Sequence, residues 1–101
     1  MQFHRPDFCI GTDSFHTPDD LRDAMLELCR SEGFYPRVNT PYSGSITPMK
    51  HYGRDRRVVS IMIEVNRRLY MNERTGEKSS GFESTRQMCR KLMELAESYN
   101  P

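Results

Sequence analysis

Glu64 is the residue of this sequence best placed to do chemistry. It lies near the end of the apolar run VVSIMIEV at residues 58–65. A carboxylate in apolar surroundings ionises at a cost unless it is paired or hydrogen-bonded. At the end of a central parallel strand of an α/β sheet, such a group is suited to proton transfer. The structural alternative is that Glu64 forms an ion pair with Arg67 or Arg68 as the chain leaves the strand.

A polar loop precedes this run and could orient a small ligand. Its side chains are dense in hydrogen-bond donors and acceptors, and its glycines let the backbone approach a ligand closely. The alternative is that the serines and glycines form turns while the tyrosines pack over the sheet. The ligand-binding candidates are Asn39, Tyr42, Ser43, Ser45, His51 and Tyr52.

Other charged groups in the sequence favour structural roles. Arg54, Arg56 and Arg57 could bind a substrate carboxylate by bidentate contact, although most such clusters are solvated loop charges. Fifteen basic and fourteen acidic residues give a net charge of +1, which offers no field for recognising nucleic acid or an anionic membrane. His16 has no second histidine or cysteine nearby, so hydrogen bonding to the backbone is favoured over metal ligation.

The composition indicates a small folded protein of the cell interior. Hydrophobic residues make up 36% of the chain and charged residues 29%, which is enough apolar material for a thin core. The three cysteines are widely spaced and form no CxxC pair, so neither a disulfide framework nor a zinc knuckle is indicated. Without a long apolar run or a signal peptide, a cytoplasmic location is expected.

The order of predicted elements indicates an α/β fold. Short strands are predicted at residues 8–10 and 34–39, with a helix at about residues 18–32 that begins with Thr17 as its N-cap. A long irregular loop then leads to the strand at residues 58–65, and a last helix opens at a capping box of Ser80 and Glu83. This order predicts a short, mostly parallel sheet with covering helices.

Residues 58–65 give the strongest strand signal and are expected at the centre of the sheet, because they are almost continuously apolar and β-branched. Alternation along a strand divides its side chains between two faces. One face carries Val59, Ile61, Ile63 and Val65, and the other carries Ser60, Met62, Glu64 and Asn66.

Three segments carry a family resemblance over nearly the whole chain: PDFCIGTDSFHTP at 6–18, VNTPYSGSITP at 38–48 and VVSIMIEVNRRLYMNE at 58–73. They resemble the N-formylglutamate amidohydrolase family, zinc-dependent hydrolases similar to zinc carboxypeptidases that cleave the formyl amide of an amino acid. The resemblance implies that Glu64 is the general base and acid in hydrolysis of a small acylated amino acid. Substrate binding is then assigned to Asn39, Tyr42, Ser43, Ser45 and Arg67.

The sequence departs from this family in its metal ligands. Family members take zinc from a His and Glu pair and a further His, all upstream of the part that this chain resembles. His4, His16 and His51 occur in no matching motif, so no metal ligand is assigned and no zinc is expected on this chain alone. Residues 1–101 are therefore expected to form a single partial domain, the C-terminal portion of such an enzyme.

Two expectations follow from a partial domain. Unpaired sheet edges favour a homo-oligomer or another association through those edges. The alternative function is a non-catalytic module that binds a small anion or a protein partner on the same fold.

Overall fold

The computed structural model describes residues 5–100, which form a sheet of three strands and two long helices; His4 lies outside them. The α/β class and the covering helices are confirmed. No helix in the described part of the chain is long and apolar enough to cross a membrane. The elements are β1 (Phe8–Gly11), α1 (Asp19–Ser31), β2 (Pro36–Val38), β3 (Met62–Val65), a 3-10 turn (Arg67–Leu69) and α2 (Phe82–Ser98).

The sheet has the order β2-β1-β3 and is mixed. β1 pairs parallel with β2 and antiparallel with β3. The predictions of a mostly parallel sheet and of a central strand at residues 58–65 are therefore wrong for β3, which lies at an edge of the sheet that residues 5–100 form. A parallel pairing needs a crossover, usually helical, whereas β2 and β3 are joined by irregular chain. The apolar run indicated that one face of this segment packs against the core, but it did not indicate where the strand lies in the sheet.

The core lies between one face of the sheet and both helices. Phe8 and Ile10 of β1 are fully buried, as are Met25 of α1 and Leu92 of α2. All four belong to one hydrophobic cluster. The predicted alternation is confirmed, because the apolar face of the last strand packs against this cluster through Val59, Ile61, Ile63 and Val65.

The predicted first helix agrees with α1 to within a residue at each end, but its predicted cap is wrong. Pro18 occupies the N-cap position and makes no side-chain capping bond. The Thr17 hydroxyl instead accepts the N–H of Asp13 at 2.9 Å and donates to the carbonyl of Ser60 at 2.6 Å. Thr17 therefore ties the loop before α1 to the segment leading into β3.

The second helix begins without the predicted capping box. Gly81 is its N-cap and no side chain caps the helix, while Glu83 forms an ion pair with Arg86 at 2.6 Å. A Cβ at Gly81 would overlap the carbonyl oxygen of Leu69. Close packing of this helix start against the 3-10 turn therefore requires glycine at position 81.

Candidate active site

The sheet face opposite the helices carries a row of three polar side chains. Cys9 on the central strand is paired with Arg37 on one side and with Glu64 on the other, so all three project to the same face. The Cys9 thiol donates to the carbonyl of Tyr42 at 3.1 Å. Residues 40–47 therefore lie over this face as a loop beside Glu64.

Glycine and serine residues hold this loop close to the sheet. A Cβ at Gly11 would overlap the carbonyl oxygen of Gly44 and the side chain of Met62, so the loop can cross here only over glycine. The hydroxyls of Ser45 and Ser60 lie 2.7 Å apart in a hydrogen bond. Ser45, assigned to substrate binding, thus makes a hydrogen bond that fixes the loop.

Glu64 opens into a cleft of about 630 Å³ at the free edge of β3. The expectation of apolar surroundings for this carboxylate is wrong, because Glu64 projects from the face opposite the helices and is exposed. The structural alternative is not found either, since Arg68 pairs with Asp7 at 2.9 Å. The cleft is lined by Arg5, Tyr42, Ile63, Glu64, Val65, Asn66, Arg67, Tyr70 and Glu73.

Four charged side chains of the cleft are available to a ligand. Glu64 and Glu73 carry negative charge and Arg5 and Arg67 carry positive charge, and none of the four forms an ion pair with another residue in the range 5–100. A guanidinium fork suits a carboxylate, and a free carboxylate can accept a proton. The cleft volume is in the usual range for small-molecule sites, about 300–1,000 Å³.

The residues assigned to substrate binding divide into two groups. Tyr42 and Arg67 line the cleft with Glu64. Asn39 adopts a left-handed backbone with φ of 53°, accepts the N–H of Thr12 at 2.9 Å and donates to the Thr12 hydroxyl at 2.9 Å. Asn39 therefore joins the ends of β1 and β2. Ser43 is exposed and does not line the cleft.

Sequence reasoning missed Arg5 and Asn66 as cleft residues. Antiparallel pairing brings the start of β1 beside the end of β3, where the Asn66 N–H donates to the carbonyl of Asp7 at 2.9 Å. The Asn66 amide also donates to the carbonyl of Pro6 at 3.2 Å. Strand alternation placed Asn66 on the face of Glu64 and was a usable signal. No local pattern could place Arg5, because all its neighbours in the cleft lie far from it in sequence.

The zinc implied by the resemblance does not fit the described residues. Within residues 5–100, no three His, Cys, Asp or Glu side chains are grouped to hold a metal ion. The buried His16 ring uses both nitrogens on the backbone: Nδ1 lies 2.8 Å from the carbonyl of Val58, and Nε2 accepts the N–H of Gly53 at 2.9 Å. Since Nε2 is an acceptor, Nδ1 carries the proton and the ring is neutral. The prediction that His16 bonds to the backbone is confirmed.

The segment around His16 also holds the basic cluster away from the cleft. The Asp13 carboxylate accepts the N–H groups of His16 and Phe15 at 2.9 and 2.8 Å, and these bonds lower the pKa of Asp13. The guanidinium of Arg56 stacks over the Phe15 ring at 4.1 Å from its centre. None of the arginines at positions 54, 56 and 57 lines the cleft.

Comparisons with known proteins agree with the resemblance. The family model described as N-formylglutamate amidohydrolase matches residues 2–71. The crystal structure of N-formylglutamate amidohydrolase from Ralstonia eutropha JMP134 is similar with a TM-score of 0.71 and 27% sequence identity. That similarity covers 98% of this chain and 38% of the other, so the chain spans well under half the length of that enzyme. No curated protein matches.

Proposed function

Because the chain belongs to the N-formylglutamate amidohydrolase family, we propose that its cleft binds a small N-acylated amino acid and that Glu64 transfers the proton when the amide is hydrolysed. The observation that carries this proposal is the position of Glu64. Its carboxylate is exposed, has no ion pair within residues 5–100 and opens into a cleft that also contains Arg67 and Tyr42.

Arg67 is proposed to hold the substrate. Every N-acylated amino acid carries an α-carboxylate, and a free guanidinium can bind it through two parallel hydrogen bonds. Tyr42, which is half exposed at 50%, presents a phenol at the same cleft and can hydrogen-bond the acyl group. These contacts would orient the amide without covalent participation of the protein.

Glu64 is proposed to act first as a base and then as an acid. The ionised carboxylate takes a proton from the attacking water, which forms a bond to the acyl carbon. The protonated carboxyl then gives this proton to the amide nitrogen as the carbon–nitrogen bond breaks. Glu64 thereby returns to its ionised form, and the products are the carboxylic acid and the free amino acid.

The zinc of the family has no place in this scheme, because the described residues offer no ligand set for it. The proposed proton transfers therefore involve only side chains within residues 5–100. We propose that full hydrolytic activity requires metal ligands that these residues do not provide.

The second candidate function is binding without catalysis. It is favoured by the same lack of a grouped ligand set, together with the two arginines of the cleft that have no ion pair in the described part of the chain. In that case the cleft would hold a small anion, and the affinity for this anion would depend on Arg67 and not on Glu64.

Calorimetric titration with N-formyl-L-glutamate, followed by an assay of formate release with added zinc, separates the two functions. Arg67→Ala should weaken binding by at least about tenfold, because a hydrogen bond to a charged group contributes roughly 1.5–3 kcal/mol. Glu64→Gln should bind within about threefold of the wild type but release no formate. Glu27→Gln on the exposed side of α1 is the matched control and should change neither measurement.

Each outcome decides between the proposals. Formate release that persists in Glu64→Gln would refute the role of Glu64. Binding that depends on Arg67, with no formate release from the wild type, would show that this chain binds the ligand without hydrolysing it, and formate release that Glu64→Gln abolishes would support the catalytic proposal. No binding in the millimolar range would refute both. Circular dichroism of each variant would establish that the fold is retained.

A further inference from the structure

The loop that covers the sheet face is attached to the chain beneath it at two places. Near its start, the Cys9 thiol donates to the backbone carbonyl of Tyr42 at 3.1 Å. Near its end, the Ser60 hydroxyl lies 2.7 Å from the hydroxyl of Ser45 and 2.9 Å from that of Thr47. Both attachments are hydrogen bonds to a side chain from outside the loop, so single substitutions can remove them.

The attachment at Ser60 is fixed by two buried residues. The N–H of Ser60 donates to the carbonyl of His16 at 3.0 Å, and its carbonyl accepts the hydroxyl of Thr17 at 2.6 Å. His16 is 1% exposed and Thr17 is 8% exposed. Because both partners are packed in the protein interior, Ser60 holds the end of the loop in a constant position relative to the sheet.

The attachment at Cys9 lies next to the proposed catalytic carboxylate. Cys9 is the cross-strand partner of Glu64, and the Cβ atoms of such partners are about 4.5–5.5 Å apart. Cys9 projects from the face opposite the helices but is only 4% exposed, because the loop covers it. Its thiol therefore fixes the main chain of Tyr42 one strand away from Glu64, and Tyr42 lines the cleft with this carboxylate.

A small cavity between these groups separates Cys9 from any substrate. The cavity has a volume of about 30 Å³, and its lining includes Cys9, Pro41, Tyr42 and Glu64. This volume holds a water molecule, whereas small-molecule sites occupy about 300 Å³ or more. Cys9 does not line the large cleft. Any effect of the thiol on a bound substrate must therefore pass through another residue.

We propose that Cys9 and Ser60 are positioning residues, which hold the loop so that the phenol of Tyr42 stays in the cleft beside Glu64. This inference rests on the proposed function, in which Tyr42 hydrogen-bonds the acyl group. A side chain that is fixed before the ligand arrives loses less conformational freedom on binding. The affinity for an N-acylated amino acid should therefore depend on two groups that do not touch it.

Chymotrypsin cleavage after Tyr42 measures the attachment of the loop without a ligand. Cleavage after Tyr52 is the internal reference, because the two tyrosines are similarly exposed, at 50% and 53%. Cys9→Ala should raise the ratio of the two rates about two- to fivefold, as expected for loss of a weak S–H···O bond. Adding Ser60→Ala should raise the ratio at least about tenfold. Cys9→Ser keeps a donor and should stay within about twofold of the wild type. Cys29→Ala truncates a fully buried thiol on the helix side of the sheet and, as the matched control, should leave the ratio unchanged.

Calorimetric titration with N-formyl-L-glutamate tests the effect on the substrate. Cys9→Ala should weaken binding about two- to fivefold, whereas Cys29→Ala should not change it. In a Tyr42→Phe background, Cys9→Ala should cause no further loss, because the phenol hydroxyl through which the thiol acts is already absent. A purely structural role of Cys9 would instead weaken binding equally in both backgrounds.

Three results would overturn the proposal. They are a cleavage ratio that neither Cys9→Ala nor Ser60→Ala changes, a Cys9→Ser variant no closer to the wild type than Cys9→Ala, and an equal loss of affinity with and without the phenol of Tyr42. If the wild type does not bind N-formyl-L-glutamate, the proposed function and the effect on its substrate both fail. The cleavage ratio would still decide whether the two residues hold the loop, so the two failures can be distinguished.

Discussion

Replacement of His16 by alanine should strongly destabilise the fold, although this residue lies outside the cleft. Its side chain is only 1% exposed and joins two segments that are distant in sequence. One ring nitrogen bonds to the carbonyl of Val58 and the other accepts the N–H of Gly53. The ring also contacts Phe15, with ring centres 4.7 Å apart. His16 thus anchors the irregular chain before β3 to the loop before α1.

The size of the effect can be worked from these contacts. Two lost hydrogen bonds cost roughly 1 kcal/mol each. Loss of the buried ring adds roughly 1–2 kcal/mol for transfer and the residual cavity. The expected loss for His16→Ala is therefore about 3–4 kcal/mol, a large share of the usual 5–15 kcal/mol of a small domain. His16→Phe keeps a ring and should lose about 2 kcal/mol.

Urea unfolding followed by far-UV circular dichroism at neutral pH measures these differences. His51→Ala is the matched control, since the His51 ring has no hydrogen bond or ion pair in the described part of the chain, and its effect should stay within about 0.5 kcal/mol. A loss below about 1 kcal/mol for His16→Ala, or a His16→Phe variant as stable as the wild type, would refute the anchoring role.

Three further predictions concern the loop, a buried thiol and acid stability. Gly11→Ala should displace the loop at Gly44 and cost about 1–3 kcal/mol by overpacking, measured by urea unfolding. Burial raises the pKa of Cys29 to about 11, so the stability that its proton contributes is lost as the pH rises from about 9 to 11. At about pH 8.5, iodoacetamide should alkylate the partly buried Cys89 before Cys29, and peptide mass spectrometry measures this order. Because backbone hydrogen bonds lower the pKa of Asp13, its ionised carboxylate stabilises the fold above the usual pKa of the group, and this stabilisation is lost below about pH 4. The difference in urea midpoint between the wild type and Asp13→Asn should therefore shrink from pH 7 to pH 3.

Local pattern was sufficient for much of the fold. Helix α1 was bounded to within a residue because its apolar period, its first-turn acids and Gly33 all act within a few residues. The faces of the last strand were assigned correctly for the same reason, since alternation is a property of the strand itself. Family membership was likewise readable from short segments, as the match over residues 2–71 confirms.

The sequence by itself determined the elements, the face of β3 that meets the core and the membership of a family. Only the tertiary structure decided that β3 is an antiparallel edge strand, that Glu64 is exposed, and that Arg5 shares its cleft. The physical reason is that strand order and direction depend on pairings between segments far apart in the chain, which no local pattern of residues records. The same pairings bring the start of β1 beside the end of β3 and so place Arg5 and Asn66 in the cleft of Glu64.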